Sequence, residues 1–319
     1  VRRIVEARDA TPDELAIREF NAGLYVCRVD ALRAALDGLD DDNAQGELYL
    51  TDAVADIEGG LGAVVAADAD VAAGVNDRVD LAACEAVIQD RLRRDLMLSG
   101  VTMPAPSAVY LDADVVVEPD VVLWPGTHLR AGTRVLAGAE IGPDVVATGS
   151  VLGAGARVRS AHLVDATVGD GCDVGPFAYL RPGTRLERGS KAGTYVELKN
   201  TVLGPGAKVP HLSYVGDATV GEGTNIGAGN ITANYDGFRK HRTRIGARVR
   251  TGSDCVLVAP VSIGDDAMTG AGSIITDDVP DGALGIARAR QSVIEGFTEK
   301  AAARAREAAD TDGPEGAPG

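Results

Sequence analysis

The sequence predicts a mainly β protein whose largest part is a parallel β-helix built from six-residue repeats. Glycine accounts for 40 of the 319 residues, aromatic residues are scarce, and the hydrophobic fraction is nevertheless 45%. From about residue 109 an aliphatic residue recurs at nearly every sixth position. A period of six is typical of short strands joined by tight turns, and it matches neither a helix nor a hairpin. The repeated positions, with Ala or Thr at a few of them, are Val117, Leu123, Leu129, Val135, Ile141, Val168, Val174, Leu180, Leu186, Ala192, Leu198, Leu203, Val209, Val215, Val220, Ile226, Ile245, Thr251, Leu257, Ile263 and Thr269.

Three six-residue sides make an 18-residue triangular coil, and coils stacked about 4.8 Å apart pair their backbones in parallel. The repeat is irregular between residues 141 and 168 and is interrupted from Asn230 to Arg244. Because a coil can only push extra residues outward, we expect this insertion to project from the β-helix as a loop. Such loops on repeat scaffolds often carry function.

The chain divides into four predicted segments: an α/β remnant at 1–75, a linker helix at 76–100, the β-helix at 101–297 and a disordered tail at 298–319. In the first segment, residues 1–7 and 22–29 have the composition of strands, and the sequence predicts a short helix from Asp52 to Ile57. It is too short for a nucleotide-binding domain, so we interpret it as the C-terminal part of one.

The predicted linker helix has apolar residues at three- and four-residue intervals, which gives it one apolar face. Asn76 could cap its first turn, and Gly100 could end it in a left-handed conformation. The final segment begins as a helix and turns into a Pro-, Gly- and Asp-containing stretch, where we expect disorder from about Asp310.

Charge and cysteine usage exclude several classes of function. Lys and Arg number 31 against 47 Asp and Glu, a net charge of −16, which disfavours a nucleic-acid partner. The four cysteines, Cys27, Cys84, Cys172 and Cys255, are scattered without a CxxC pair, which is typical of a reduced, cytoplasmic protein. The sequence has no apolar run of the roughly 18 residues that a membrane span needs.

Five polar stretches interrupt the aliphatic and glycine pattern of the β-helix, each about one coil from the next, so we expect them to line one wall. They are residues 177–184, 193–200, 208–217, 225–240 and 250–260. The four histidines lie 34, 49 and 30 residues apart, a spacing that argues against a zinc site in this domain.

His211 is the candidate general base of this wall, because an imidazole has its ordinary pKa near 6.5. A lone histidine is more often a surface or turn residue, and it is the surrounding polar cluster that favours catalysis. Arg181, Lys199 and Lys240 are cations that could together hold a phosphate, although Lys240 alone could equally be solvated surface charge.

These stretches also identify a family. The motifs PFAYLRPGT, GTYVELKN, HLSYVGDATVGEGTNIGAGNITANYDG, TGSD and APVSIG closely resemble those of the bifunctional N-acetylglucosamine-1-phosphate uridyltransferase / glucosamine-1-phosphate acetyltransferase family. The resemblance extends from Val1 to about Phe297 and implies a left-handed β-helix, a homotrimer and acetyl-CoA as cosubstrate. It also implies that the first segment is the end of a uridyltransferase domain, which uses Mg²⁺ and UTP.

The resemblance implies a role for each matching residue. His211 matches the catalytic base that removes a proton from the substrate amine. The positions that match contacts to the amino-sugar phosphate or product are Arg181, Lys199, Tyr214, Asn225 and Lys240. The positions that match acetyl-CoA contacts are Ala228, Asn234, Tyr235, Ser253, Ala271 and Arg288. The positions that match sugar-nucleotide contacts are Glu6, Asn21 and Asn76, and Asn76 also matches a magnesium ligand.

The expected activity is therefore N-acetylation of glucosamine 1-phosphate, followed in a full-length family member by uridylyl transfer from UTP to give UDP-N-acetylglucosamine, a cell-wall precursor. Because the family's N-terminal Gly-rich loop is absent from this sequence, we expect the 319-residue chain not to carry out the second step alone. Two alternatives remain open at this point. One is another hexapeptide-repeat acyltransferase with a different acceptor, and the other is a non-catalytic β-helix used as a scaffold.

Overall fold

The computed structural model describes residues 3–55, 57 and 62–311, and the chain divides into two units after Leu92. The helical elements are α1 (Pro12–Leu15), α2 (Val29–Leu36), α3 (Leu50–Ala55), α4 (Arg78–Leu98) and α5 (Phe297–Thr311), with 3₁₀ turns at Ala69–Ala72 and Pro106–Ala108. All described strands lie in the second unit.

Helices are the only regular elements among the described residues of the first unit, so the strands predicted at 22–29 and in the described part of 1–7 are wrong. A strand needs a neighbour to pair its backbone. Leu24 and Val26 instead remain almost fully exposed, at 86% and 104%. The helix predicted at Asp52 to Ile57 is present but begins two residues earlier, as α3, which buries Ala53 and Val54.

Helix α4 corresponds to the predicted linker helix, with a different cap at its start. The Oδ1 atom of Asp77, not Asn76, accepts hydrogen bonds from the backbone N–H groups of Val79 and Asp80, at 2.7 and 2.9 Å. At the other end, Gly100 adopts φ +102° and its N–H donates to the Met97 carbonyl, so the predicted glycine stop is confirmed.

Twenty-seven short strands build the second unit. They are β1 (Val109–Leu111), β2 (Val116–Val117), β3 (Val122–Leu123), β4 (Thr127–Arg130), β5 (Arg134–Val135), β6 (Glu140–Ile141), β7 (Val145–Thr148), β8 (Val151–Leu152), β9 (Arg157–Val158), β10 (Ala161–Val164), β11 (Thr167–Val168), β12 (Asp173–Val174), β13 (Ala178–Leu180), β14 (Arg185–Leu186), β15 (Lys191–Thr194), β16 (Glu197–Lys199), β17 (Val202–Leu203), β18 (Lys208–His211), β19 (Tyr214–Gly216), β20 (Ala218–Val220), β21 (Ile231–Ala233), β22 (Thr243–Ile245), β23 (Val256–Val258), β24 (Val261–Ile263), β25 (Met268–Thr269), β26 (Ile274–Ile275) and β27 (Leu284–Gly285).

The strands form three parallel sheets, which confirms the predicted parallel β-helix. Face A is a ten-stranded sheet in the order β1-β4-β7-β10-β13-β16-β19-β21-β23-β26. Face B is a nine-stranded sheet, β2-β5-β8-β11-β14-β17-β20-β22-β24. Face C is a six-stranded sheet from β3 to β18, continued through single bridges at Asn225 and Arg250 to the pair β25-β27. Each circuit of the chain passes through faces A, B and C in turn.

The core of the β-helix confirms the six-residue pattern, because every predicted inward position is buried. The sequence suggested an irregular stretch between residues 141 and 168, but the structure shows regular coils there. This stretch continues the coils with some sides one residue shorter, and Ala147, Leu152, Val158 and Leu163 are fully buried there. Paired residues are correspondingly 16 apart, as in Val145 and Ala161, rather than 18, as in Val109 and Thr127.

The insertion is shorter than its predicted span of Asn230 to Arg244. Asn230 is buried and β21 belongs to face A, so the chain is still within the coils there. It re-enters face B at Thr243, the first residue of β22. The segment outside the coils is therefore 234–242, which we call the insertion loop.

At the end of the chain, α5 confirms the helix expected to open the last segment, and it occupies residues assigned above to a disordered tail. Residues 312–319 lie outside the described part of the chain. Within the described residues, no helix combines the length and apolar character that crossing a membrane requires.

Candidate functional site

Three cations form what we call the cationic cluster: Arg181 and Lys199, at the ends of face A strands, and Lys240, in the insertion loop. Arg181 follows β13 and Lys199 ends β16, so the parallel register brings these two residues into neighbouring coils. The guanidinium Nη1 of Arg181 lies 2.8 Å from the Glu197 carboxylate, and this hydrogen bond raises the pKa of Arg181. A carboxylate thus holds the first cation in place.

The carboxylate of Asp217 holds the second cation. The Lys199 Nζ atom lies 3.1 Å from Asp217 Oδ2. Burial pushes the pKa of Asp217 up, but hydrogen bonds from Asn200, Lys199 and Asn234 outweigh it, so the pKa lies below its ordinary value. Asp217 is therefore a buried anion at neutral pH.

The insertion loop brings Lys240 to Lys199. Lys199 lowers the pKa of Lys240, because it can donate a hydrogen bond only to the neutral amine of Lys240 and its charge repels the ammonium form. The same interaction with Lys240, and then the hydrogen bond to Asp217, raise the pKa of Lys199. Two neighbouring ammonium groups repel one another, so the cluster is a site that an added anion would relieve.

The loop is held in shape by its own carboxylate. Asp236 accepts hydrogen bonds from the backbone N–H groups of Arg239 and Phe238, and its Oδ2 lies 2.7 Å from His241 Nε2. These contacts lower the pKa of Asp236 to about 2. The Tyr235 hydroxyl donates to the Gly237 carbonyl at 2.6 Å, which closes the same turn.

His211 lies at a different corner, where the chain passes from face C to face A. It is the last residue of β18, pairs with Thr194 of β15 and is exposed. Its carbonyl accepts a hydrogen bond from Ser213 Oγ at 2.7 Å, which fixes the backbone turn that carries the imidazole. A groove of about 350 Å³ runs beside this corner and is lined by His211, Thr194 and Lys191.

Most of the predicted acetyl-CoA contacts line up along the corner of His211. Backbone bonds stack successive coils here: Gly229 donates to the His211 carbonyl, Asp254 to that of Ala228 and Gly272 to that of Ser253, at 3.4, 2.7 and 2.8 Å. Ala271 lies in the coil of Gly272, and the side chain of Arg288 lies beside Gly272. We call this row of His211, Ala228, Ser253, Ala271 and Arg288 the CA ridge.

The five polar stretches contribute the neighbouring face A strands β13, β16, β19, β21 and β23, so the expectation that they line one wall is confirmed. The remaining predicted contacts nevertheless do not lie on the CA ridge. Asn225 is an exposed residue of face C, between Lys208 and Arg250. Asn234 and Tyr235 lie at the corner between faces A and B, next to the cationic cluster. The reason is that most of the stretches are longer than one strand, so some of their residues lie beyond face A, on face C or at the corner with face B. Tyr214 lies between the two groups, in β19 of face A.

Two carboxylates of the site, Glu197 and Asp217, were missed by the sequence reasoning. Each lies about one coil beyond the cation that it pairs with, Arg181 and Lys199 respectively. That spacing was the available signal, since residues one coil apart are neighbours in a β-helix. Cys255, the cysteine nearest the polar stretches, is fully buried and its Sγ contacts the Gly270 carbonyl at 3.2 Å, so it belongs to the core.

The candidate residues of the first unit lie in separate local contacts. Glu6 accepts from the Thr51 hydroxyl at 3.1 Å, and the Asn21 side chain bonds Tyr25 and Gly23. Asn76 donates its side-chain amide to Asp80 Oδ2 at 3.2 Å.

The described residues of this unit do not by themselves assemble a magnesium site. Mg²⁺ takes oxygen ligands, usually including a carboxylate. Asn76 donates its Nδ2 to Asp80 and keeps its Oδ1 as a possible ligand, but no three His, Cys, Asp or Glu side chains converge on a metal position anywhere in the described part of the chain.

Comparison with known proteins gives the family. The chain matches no family model. It is 47% identical over 301 residues to the bifunctional protein GlmU of Mycolicibacterium vanbaalenii, covering 93% of this chain and 61% of that protein. It is 48% identical over 324 residues to the bifunctional protein GlmU of Streptomyces avermitilis, covering 99% of this chain and 67% of that protein. The chain thus spans about three fifths to two thirds of the length of these relatives.

Two solved structures are more distant. An Arabidopsis UDP-N-acetylglucosamine acyltransferase is 16% identical with a TM-score of 0.30, over 63% of this chain and 75% of that chain. The polySia-specific acetyltransferase NeuO is 17% identical with a TM-score of 0.26, over 64% of this chain and 99% of that chain. These scores add nothing to the fold described above. On the curated relatives, whose identity runs along almost the whole chain, this chain belongs to the family of bifunctional GlmU proteins.

Proposed function

We propose that this chain transfers the acetyl group of acetyl-CoA to the amino group of glucosamine 1-phosphate. The observation that carries the proposal is that the cationic cluster and His211 flank the same short strands of face A. A three-residue strand such as β19 spans about 10 Å, at roughly 3.3 Å per residue. An amino-sugar phosphate can bridge that width, with its phosphate at the cationic cluster and its amine toward His211.

In this arrangement each group has a distinct task. Arg181, Lys199 and Lys240 bind the phosphate, with Arg181 able to offer two parallel N–H donors. Tyr214 and Glu197, which are paired across β19 and β16, lie under the sugar. The imidazole of His211 takes a proton from the substrate ammonium, and the free amine attacks the thioester carbonyl.

The tetrahedral intermediate then collapses to the amide and the coenzyme A thiolate, which takes up a proton. A donor to the developing oxyanion is best sought among backbone N–H groups of the CA ridge. The Asn234 amide is a weaker candidate, because its Nδ2 already donates to Asp217 at 2.5 Å. The reaction requires no covalent enzyme intermediate.

Acetyl-CoA would bind as the cosubstrate along the CA ridge. Successive coils are about 4.8 Å apart, so the ridge offers an extended track from His211 to Arg288. The guanidinium at its far end suits a phosphate of the coenzyme. Asn234 and Tyr235 would contact the coenzyme only from the other corner of face A.

The proposal includes a homotrimer. Face A lies open along both rows of functional residues, and a second copy laid against it would close the site over the bound substrates. Sedimentation equilibrium should then give three times the 32.7 kDa mass of the chain. A stable monomer that still acetylates would contradict this part of the proposal.

For the complete protein we propose uridylyl transfer from UTP to N-acetylglucosamine 1-phosphate, giving UDP-N-acetylglucosamine for cell-wall synthesis in the cytoplasm. Glu6, Asn21 and Asn76 would contact the sugar nucleotide. Mg²⁺ belongs to that activity, and its site would need ligands beyond those that this chain's described residues bring together.

The experiment that tests the acetyl-transfer proposal compares glucosamine 1-phosphate with unphosphorylated glucosamine and other amines as acceptors. Arg181→Ala should raise KM for glucosamine 1-phosphate about 10- to 100-fold, because it removes a charged hydrogen bond to the phosphate. KM for glucosamine should change less than about twofold. Steady-state assays of coenzyme A thiol release give both values.

Arg185→Ala is the matched control. Arg185 is an exposed arginine of face B that pairs with Glu187, and its loss should leave both KM values unchanged. Equal effects of Arg181→Ala on the two acceptors would contradict phosphate binding at the cluster. A clear preference of the wild-type chain for a hydroxyl acceptor would favour another hexapeptide-repeat acyltransferase instead.

A further inference from the structure

Asp217 is a buried anion at the corner between faces A and B, and its contacts extend beyond the Lys199 ion pair described above. Its backbone adopts φ +51°, a left-handed conformation that Asp tolerates better than most residues. Its N–H donates to the Lys199 carbonyl at 2.9 Å, and its carbonyl accepts from Thr243 N–H at 3.3 Å. Only 8% of the side chain is exposed. A buried carboxylate is costly unless it is fully hydrogen-bonded.

The Asp217 carboxylate binds groups from the coil before its own and the coil after it. Its Oδ1 accepts from Asn200 Nδ2 at 2.7 Å, and its Oδ2 accepts from Asn234 Nδ2 at 2.5 Å. Both oxygens also lie near Lys199 Nζ, at 3.5 and 3.1 Å. Asn234 is the first residue of the insertion loop, and that loop carries Lys240. One carboxylate therefore anchors Lys199 directly and Lys240 through the base of its loop.

The balance of charges in the cationic cluster depends on Asp217. Arg181, Lys199 and Lys240 supply three positive charges, and Glu197 and Asp217 supply the two carboxylates that face them. Tyr179, beside Arg181, and Tyr214 are further titratable neighbours. Without Asp217, the ammonium of Lys199 would have no carboxylate partner beside Lys240 and would lose protons more readily.

We propose that Asp217 is the positioning residue of the phosphate site, holding Lys199 and the insertion loop so that both lysines meet the phosphate as charged ammonium groups. The inference rests on the proposed acetyl transfer for its kinetic consequence. It deepens that proposal by assigning phosphate recognition to a carboxylate that does not touch the substrate.

The test uses Asp217→Asn, which keeps the size of the side chain and removes its charge, in the full 319-residue chain. KM for glucosamine 1-phosphate should rise about tenfold, with a smaller change in kcat. In the wild type, KM should rise with pH as Lys240 loses its proton. In Asp217→Asn this rise should begin at lower pH, because Lys199 no longer has the carboxylate that stabilises its charged form.

The matched control is Asp165→Asn. Asp165 occupies the same corner three coils earlier, with φ +44°, and is exposed. Its replacement should leave KM and the pH profile unchanged. Asn200→Gly is the second variant, because Gly accepts the positive φ of Asn200 and removes one donor to Asp217. Asn200→Gly should shift the pH dependence of KM in the same direction as Asp217→Asn, but by a smaller amount.

Binding of inorganic phosphate, measured by calorimetry, separates this inference from the proposed function. The wild type should bind phosphate about tenfold more tightly than Asp217→Asn, whether or not acetyl transfer occurs. Failure of acetyl transfer in a wild type that still binds phosphate about tenfold more tightly than Asp217→Asn would contradict the proposed function alone. A folded Asp217→Asn with wild-type phosphate affinity and pH profile, or with only a uniform loss of kcat, would overturn the role of Asp217.

Discussion

Replacing His211 by alanine should lower kcat for acetyl transfer by about 10²- to 10⁴-fold, the usual contribution of a general base. KM for glucosamine 1-phosphate should change little, since proton removal matters in the transition state and the phosphate contacts lie across face A. The effect should be measured by stopped-time assays of coenzyme A thiol release, with acetyl-CoA binding followed separately by calorimetry. Acetyl-CoA affinity should stay near that of the wild type.

His128→Ala is the control for this prediction. His128 lies on face A, stacks on Tyr110 at 4.7 Å, and is remote in sequence from the proposed site. Its replacement should leave kcat unchanged. Should His211→Ala keep the wild-type kcat in a folded protein, the base would have to be another group, with Tyr214 or the substrate itself as the next candidates.

Leu198→Ala should lower the free energy of unfolding by about 2–5 kcal/mol, the range for a leucine removed from a packed core. Leu198 is fully buried in β16, between Glu197 and Lys199, so the cavity would lie under two charged groups of the site. Equilibrium denaturation with guanidinium chloride, followed by circular dichroism, measures the change.

Val116→Ala provides the comparison for Leu198→Ala. Val116 is an outward residue of β2 with 49% of its surface exposed, and its replacement should change the free energy of unfolding by less than about 0.5 kcal/mol. A loss of less than about 1 kcal/mol in Leu198→Ala would mean that the coil interior is not tightly packed at this point.

The β-helix could be predicted from the sequence because one requirement repeats in every coil. Each side turns one side chain into a narrow interior that admits Val, Leu, Ile or a smaller residue, so the pattern survives over many coils. The coils between residues 141 and 168 were not predicted, because some of their sides are one residue shorter. Leu152 and Leu163 then fall off the six-residue grid although they occupy the same interior position.

The candidate site was only partly predictable, for geometric reasons. The sequence marks polar stretches but does not say at which point of the coil each of their residues lies, so it could not separate Asn225 and Asn234 from the corner of His211. The role of Asp217 was not predicted because it depends on partners in the two neighbouring coils, whereas the residue considered alone resembles an ordinary acidic turn. In the first unit, the strand-like composition around Leu24 could not produce a strand without a neighbour to pair with.

The most direct test of the account is the product formed by the purified chain from acetyl-CoA and glucosamine 1-phosphate. Proton NMR of the reaction mixture, read beside thiol release, identifies which group has been acetylated. The account predicts N-acetylglucosamine 1-phosphate in a one-to-one ratio with coenzyme A, and its loss in His211→Ala. Thiol release without the amide, acetylation of a sugar hydroxyl, or no product from the folded chain would contradict it.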